Sequence, residues 1–335
     1  MKAIVYDRYG SPDVLRFEDI APPAMDDDQV LVRVRAVGLN PYDWHFMRGQ
    51  PYLARLYSGW RKPKQRLVMG SDIAGEVEAV GGDVTEFRPG DAVFGFVGTG
   101  GLGEFIACSG RALLEKPANL TFEQAAAVPL AALTAVEGLR DYGRIRPTHH
   151  VVVNGASGGV GTFAVQIAKS FGAQVTGVCG ARNVDLVRNL GADHVVDYTR
   201  EDVTQSKDRY DLVFDTVGNH SLSKWRSVMA SNGTFVSIAG LQPVTPWLGP
   251  LRSQVQIALA SRFGEHRMVL VSRKVEKNNS LRLVVKKEDL RLLKELIEAG
   301  KVSPVIDRTY PLERASDAIR YLEEGRASGK VVVTI

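Results

Sequence analysis

Gly155-Ala156-Ser157-Gly158-Gly159-Val160-Gly161 is the stretch of this chain whose residue types and spacing point most directly to chemistry. Backbone without Cβ atoms lets an anion come close to peptide N–H donors. A helix that starts at such a turn adds its first N–H groups and its dipole. The chemistry is the binding of a pyrophosphate. Val151-Val152-Val153 ahead of the turn predicts a buried strand, and the spacing of Thr162–Phe171 predicts a helix after it. The loop reads Ala-x-Gly-x-x-Gly, with Ala156 where the dinucleotide fingerprint has its first glycine. Ala156, Ser157, Gly158, Gly159 and Val160 are the candidate phosphate contacts.

The next chemical signal follows the second strand of this region, Val175–Val178, which runs into Cys179-Gly180-Ala181-Arg182. NAD-specific turns place an acid about 20 residues past the glycine loop, where it binds the ribose hydroxyls. No carboxylate stands here before Asp185. An acid would repel a 2′-phosphate, whereas the Arg182 guanidinium can pair with one as a charge-assisted fork. NADPH is therefore the expected cofactor, with Gly180 and Arg182 at its adenosine end. The competing reading of Arg182 is a solvated residue at a helix start.

The elements that must position these residues come in two styles. Over the first 120 or so residues, short apolar strands at Lys2–Tyr6, Val30–Val37, Gly75–Val80 and Ala92–Phe96 alternate with glycine and proline turns such as Phe87-Arg88-Pro89-Gly90-Asp91. Helices are predicted at Thr121–Val128 and Leu133–Tyr142. Beyond them, strands at 151–153, 174–178, 194–196, 211–214 and 234–238 alternate with helices at 160–171, 182–190 and 221–230. That alternation implies a parallel sheet with helices on both faces. The tail carries helices at Lys287–Ala299 and Leu312–Glu324 and a closing strand at Lys330–Ile335. The expected domains are 1–124, β-rich; 125–266, nucleotide-binding; and 267–335, a segment returning to the first.

Composition narrows the classes. The chain has 335 residues, 44% hydrophobic and 24% charged, with 42 basic against 38 acidic side chains for a net charge of +4. Such a mild excess describes a solvated surface, so no nucleic-acid partner is expected. Two cysteines, Cys108 and Cys179, make neither a disulfide framework nor a cysteine-rich zinc site. No apolar run of about 18–20 residues spans a bilayer. A cytoplasmic protein without stable membrane insertion is expected.

Taken together, Met1–Gly10, Gly38-Leu39-Asn40-Pro41-Tyr42-Asp43, Gly70-Ser71-Asp72-Ile73-Ala74-Gly75, the Phe87–Asp91 turn and the glycine loop resemble the medium-chain dehydrogenase/reductase superfamily. Leu190-Gly191-Ala192-Asp193, Asp211–Gly218 and Gly329-Lys330-Val331-Val332 extend the resemblance along the whole chain, in the zinc-independent quinone-oxidoreductase-like branch. The fold it implies is α/β, a GroES-like catalytic domain plus a Rossmann doubly wound parallel sheet. The short-chain dehydrogenase alternative fails because it needs Tyr-x-x-x-Lys, and none of the ten tyrosines has a lysine four residues on.

The resemblance also implies site residues. Zinc-dependent relatives place a cysteine near Asn40 and a histidine and glutamate where Ser71 and Asp72 stand, so no metal is expected. His149-His150 reads as an exposed turn rather than a ligand pair. Tyr198 is expected against the adenosine phosphate. Asn40, Asp43, Thr134, Thr216, Val217, Ala239, Gly240 and Leu270 are expected on the nicotinamide side, several of them directly after strands. Without a metal to polarise a simple carbonyl, the expected hydride acceptor is a quinone or an α,β-unsaturated carbonyl. Tyr52, with Asn40 and Asp43, is the candidate catalytic set, and His45 is an alternative acid. The aromatic segment Trp44–Trp60 fits a cleft wall or plain packing. The basic run Arg61-Lys62-Pro63-Lys64-Gln65-Arg66 fits a solvated loop or the attraction of a CoA thioester. The amphipathic stretch Pro246–Phe263 fits a cleft mouth, a subunit interface or a membrane surface. A homodimer is expected. The rival functions are an enoyl-thioester reductase and a non-catalytic NADPH-binding regulatory protein.

Overall fold

Val151, Val152 and Val153 are wholly buried because their strand, His150–Asn154, lies inside a parallel sheet. The computed structural model describes residues 1–50, 52, 55, 59–239, 249–262, 265–271, 275–276, 282–283 and 286–335. Gly240, Pro51, Leu53, Leu56, Tyr57 and both ends of the 246–263 stretch, 246–248 and 263, lie outside the described residues. The chain divides into two compact units. One comprises Met1–Leu133, Lys274–Gly300 and Pro304–Ile335; the other comprises Thr134–Arg273 and Lys301–Ser303.

In the second unit six strands run parallel in the spatial order His194–Asp197, Gln174–Cys179, His150–Asn154, Tyr210–Asp215, Met229–Ser237 and Arg267–Leu270. The first strand of the unit is therefore central, and the chain winds outward from it in both directions. This is the doubly wound arrangement, with its switch point beside His150–Asn154. Because every strand points the same way, the turns after Asn154, Cys179, Asp197, Asp215, Ser237 and Leu270 all leave the same edge of the sheet. Helix Gly159–Ser170 buries Phe163, Ala164, Val165, Ile167 and Ala168, which is why its sequence is apolar almost all round.

Two predicted helices differ in extent from expectation here. The helix predicted at 221–230 stops early: it spans Leu222–Ser227, and strand Met229–Ser237 begins at once. Burial of Trp225 from one side and edge pairing with Tyr210 from the other leave no room for another turn. The helix predicted at 133–142 is α over Pro129–Val136 and widens to π over Glu137–Tyr142, so that the Gly143 N–H reaches the Gly138 carbonyl five residues back.

The first unit is built on a seven-stranded sheet. Along its main path the order is Ile306–Pro311, Lys330–Thr334, Gln29–Leu39, Asp72–Val80, Ala92–Phe96 and Leu113–Glu115, and Phe105–Ser109 also pairs with Gln29–Leu39. All pairings are antiparallel except Ile306–Pro311 with Lys330–Thr334. That parallel pair needs a crossover, supplied by helix Ala315–Glu323, whose Ala315, Ala318 and Ile319 form the buried stripe. Val30, Val32 and Val34 point inward from Gln29–Leu39 in strict alternation and pack with Ile73, Val77, Val93, Ile106 and Leu113. A smaller sheet orders Arg16–Asp19, Lys2–Tyr6 and Leu67–Val68.

Candidate functional site

The glycine loop is shaped by contacts that exclude side chains. Gly155 has φ +84°, in the region that favours glycine. A Cβ on Gly161 would overlap the Gly155 carbonyl, so the helix can start this close to the strand only without one. Around Gly158 a Cβ would meet nothing nearer than 3.4 Å, which leaves an open surface for an approaching group. Ala156 replaces the usual first glycine because it is buried against Gly177, whose missing side chain makes room for its methyl. The helix that follows has Gly158 as its N-cap and no side-chain cap, so its dipole and first-turn N–H groups face the turn.

Two further strand ends join the loop. Asn183 Nδ2 donates to Ser157 Oγ at 3.0 Å, tying the glycine turn to the segment that follows Cys179. The Tyr198 hydroxyl lies over Gly180, 3.1 Å from where a Cβ would stand, and the tyrosine remains 62% exposed. Arg182 is exposed two residues on. The nearby acids are committed elsewhere: Asp185 pairs with Arg188 at 2.8 Å, and Asp197 accepts from the Thr199 N–H and hydroxyl at 3.0 and 2.8 Å. Those two Thr199 bonds hold the Asp197 carboxyl below the usual carboxylate range.

Asn154, not foreseen from the sequence, organises the fourth strand end. Its Nδ2 donates to Asp215 Oδ1 and to Asn219 Oδ1, both at 2.8 Å, while its carbonyl accepts from the Thr216 N–H and hydroxyl at 3.1 and 2.8 Å. Asp215 Oδ1 also accepts the Val217 and Gly218 N–H groups at 3.0 Å. The turn is thereby locked with Val217 41% exposed. Ala239 follows Met229–Ser237, and Leu270 closes the sixth strand. Thr134 is half-buried on helix Pro129–Val136. The one signal for Asn154 in the sequence is an amide ending a run of buried valines.

In the first unit a second constellation surrounds Asn40. The Lys330 ammonium, 3% exposed, donates to Asn40 Oδ1 at 2.6 Å and lies 3.5 Å from the wholly buried Asp72 carboxylate. Asn40 Nδ2 donates to Asp72 Oδ2 at 2.8 Å and to Ser71 Oγ and the Gly38 carbonyl at 3.3 Å. Asp72 also accepts the Leu130 N–H at 3.0 and 3.1 Å through its two oxygens. The Asn40 N–H donates to Asp43 Oδ2 at 2.8 Å, so Asp43 caps helix Pro41–Met47 from inside the protein. Burial pushes the Asp43 carboxyl up to about 7. It also pushes Asp72 up and Lys330 down, each opposed by the other's charge, and the donors converging on Asp72 favour its ionised form.

Tyr52 lies in a different cluster. The Arg55 guanidinium stands 4.5 Å from the Tyr52 ring centre and 4.6 Å from that of Tyr9, and it donates to the Gly49 and Arg48 carbonyls at 2.9 and 3.0 Å. His45 stacks on Trp44 at 3.7 Å, and burial holds its imidazole below the usual value, which keeps it neutral at pH 7. Asn40 and Asp43 thus belong together, whereas Tyr52 is grouped with Tyr9 and Arg55.

Comparison with known proteins agrees with this architecture. Residues 26–118 match the family described as alcohol dehydrogenase GroES-like domain, and residues 190–333 match zinc-binding dehydrogenase. The chain is 35% identical over 367 residues to the mitochondrial NAD(P)H oxidoreductase RTN4IP1 of Danio rerio, covering 100% of this chain and 91% of that protein. It is 36% identical over 347 residues to the chloroplastic NADPH-dependent alkenal/one oxidoreductase of Arabidopsis thaliana, covering 99% and 79%. The solved quinone oxidoreductase of Coxiella burnetii superposes with a TM-score of 0.84 at 28% identity, over 100% of this chain and 99% of that one.

The zinc in that second description does not fit these residues. Asn40, Ser71 and Asp72 offer an amide, a hydroxyl and one carboxylate that is already bonded by three groups, and the Lys330 ammonium would face any cation brought to them. Among the described residues no group of three or more His, Cys, Asp or Glu is placed to hold a metal. With two-unit architecture, doubly wound sheet, glycine loop and full-length relatives in accord, the chain belongs to the medium-chain dehydrogenase/reductase superfamily, in its quinone oxidoreductase-like branch.

Proposed function

We propose that this protein is a zinc-independent, NADPH-dependent reductase that passes hydride to a quinone or an α,β-unsaturated carbonyl. The observation that carries the reading is the strand-end edge of the parallel sheet. It joins a glycine cradle to Tyr198 and Arg182, with no carboxylate in the turn from Cys179 to Arg182. In this reading Ala156, Ser157, Gly158, Gly159 and Val160 hold the pyrophosphate, and Gly180, Arg182 and Tyr198 hold the adenosine phosphate. Thr134, Thr216, Val217, Ala239 and Leu270 hold the nicotinamide, with Gly240 continuing from Ala239. NADPH supplies the hydride when bound. Conjugated acceptors suit a site without a Lewis acid because they spread the incoming charge themselves. Tyr52 is proposed to supply the proton, and Asn40 and Asp43 to shape the acceptor pocket. The named activities of the relatives, alkenal/one and quinone reduction, support the same class.

Arg61, Lys62 and Lys64 are exposed, whereas Arg66 pairs with Glu18. These three cations favour a second reading, reduction of an anionic enoyl thioester. A homodimer is proposed on the exposed Val255 and Leu259 of helix Gly249–Arg262. A cytoplasmic location is proposed on two buried cysteines, Cys108 and Cys179, that form no disulfide. Among the described residues no helix is long and apolar enough to cross a membrane.

The test is anaerobic NADPH oxidation in chelator with 1,4-benzoquinone, 9,10-phenanthrenequinone, 2-hexenal and crotonyl-CoA, each repeated with NADH. Chelator-resistant turnover that prefers NADPH is expected, and the best acceptor separates quinone, enone and thioester chemistry. Tight NADPH binding without turnover on any acceptor would refute the reductase reading in favour of a regulatory nucleotide binder.

A further inference from the structure

Lys330 has no part in the cofactor cradle, yet it is the most deeply committed cation among the described residues. A buried ammonium is costly unless its environment is built for it. Here that environment is Asn40 Oδ1 at 2.6 Å, Asp72 at 3.5 Å, and Asp43 across the same Asn40 backbone. The consequence for Asn40 is specific. Its oxygen faces the ammonium and its nitrogen faces the Asp72 carboxylate, so a flipped amide would set like partners against each other on both sides. The same Asp72 carboxylate accepts the Leu130 N–H, the first N–H of helix Pro129–Val136. One lysine on the final strand thus fixes three segments far apart in sequence: the Asn40 corner, the start of Asp72–Val80 and the Leu130 corner.

We infer that Lys330 is a positioning residue for the reductase reaction: an internal ammonium that pairs with Asp72 and sets the orientation of the Asn40 amide. The role rests on the functional reading above only in so far as it is read out by turnover.

The experiment compares Lys330→Met, Lys330→Arg, Asp72→Leu and the double variant Lys330→Met/Asp72→Leu with wild type. Either apolar single variant strands a buried charge and is expected to lose stability. The double variant removes the ion pair as a unit and is expected to recover most of it, because apolar replacement of a buried pair is often neutral. The recovered double variant is expected to keep its NADPH Kd within about threefold while kcat falls about tenfold or more, as small misplacements of positioned groups do. Lys330→Arg is expected to retain much of the kcat, since it keeps the charge. Amide hydrogen exchange is the second readout: protection of the Asn40 and Leu130 N–H groups is expected to fall in Lys330→Met and in the double variant, and to survive in Lys330→Arg. A stable double variant with wild-type kcat, or unchanged exchange at Asn40 and Leu130, would overturn the assignment. If wild type itself turns over no acceptor, the reductase reading fails alone, and exchange still decides the role of Lys330.

Discussion

Replacing Arg182 by alanine isolates the choice between NADPH and NADH. Arg182 stands exposed just past Gly180, with Tyr198 over the glycine and the neighbouring acids Asp185 and Asp197 occupied by Arg188 and Thr199. A hydrogen bond to a charged partner contributes about 1.5–3 kcal/mol. Exposure to solvent places this pair at the low end, about 1.5 kcal/mol, because surface charges are screened. That energy corresponds to about a tenfold rise in the Kd for NADPH. NADH carries no 2′-phosphate, so its Kd is expected to stay within about twofold. Both constants are read by titrating cofactor fluorescence at low and high salt. The selectivity lost in Arg182→Ala should be larger at low salt, where the screening length approaches about 30 Å at 0.01 M. Equal weakening of both cofactors would refute the reasoning, since it would mean that Arg182 shapes the turn rather than reads the phosphate.

Three more perturbations test other parts of the structure. Gly161→Ala pushes a methyl into the Gly155 carbonyl, so urea denaturation should show a loss of about 3 kcal/mol together with weaker binding of both cofactors; unchanged stability would count against this loop geometry. Tyr52→Phe should lower kcat on enones by about a hundredfold with the NADPH Kd unchanged, and an unaltered kcat would assign the proton to water. Asp43 keeps its proton in the folded state up to about 7 against an ordinary 3.8, so its contribution to stability is complete below 3.8 and is lost as pH rises through about 7. In Asp43→Asn that loss disappears, and the melting-temperature difference between pH 5.5 and 8 should narrow; an undiminished difference would place the titration elsewhere.

Much of the nucleotide-binding half was legible because its signals are local. A run of valines reads as a buried strand, glycine spacing reads as a turn, and the absence of an acid before Asp185 is visible in a line of text. The sixth strand, Arg267–Leu270, was missed: its charged first residue and short length carry no period-two pattern, and its strand character comes from pairing with Thr234–Ser237. Phe105–Ser109 carries no expectation either: it is only five residues long, and it is held as a strand by pairing with Gln29–Arg33. The helix Pro41–Met47 has its start signals in the sequence, Pro41 at its first turn and Asp43 two residues later, but it is too short to show an apolar period.

The sequence by itself determined the kind of cofactor cradle this protein builds, because periodicity, β-branching and glycine spacing act on residues that are neighbours along the chain. Only the tertiary structure decided what surrounds Asn40. Lys330 meets it across 290 residues, and Leu130 meets Asp72 across 58. An ion pair of that kind leaves no periodic trace, because its energy depends on burial and on the distance between charges, and both exist only once the sheet has brought the final strand beside Gln29–Leu39.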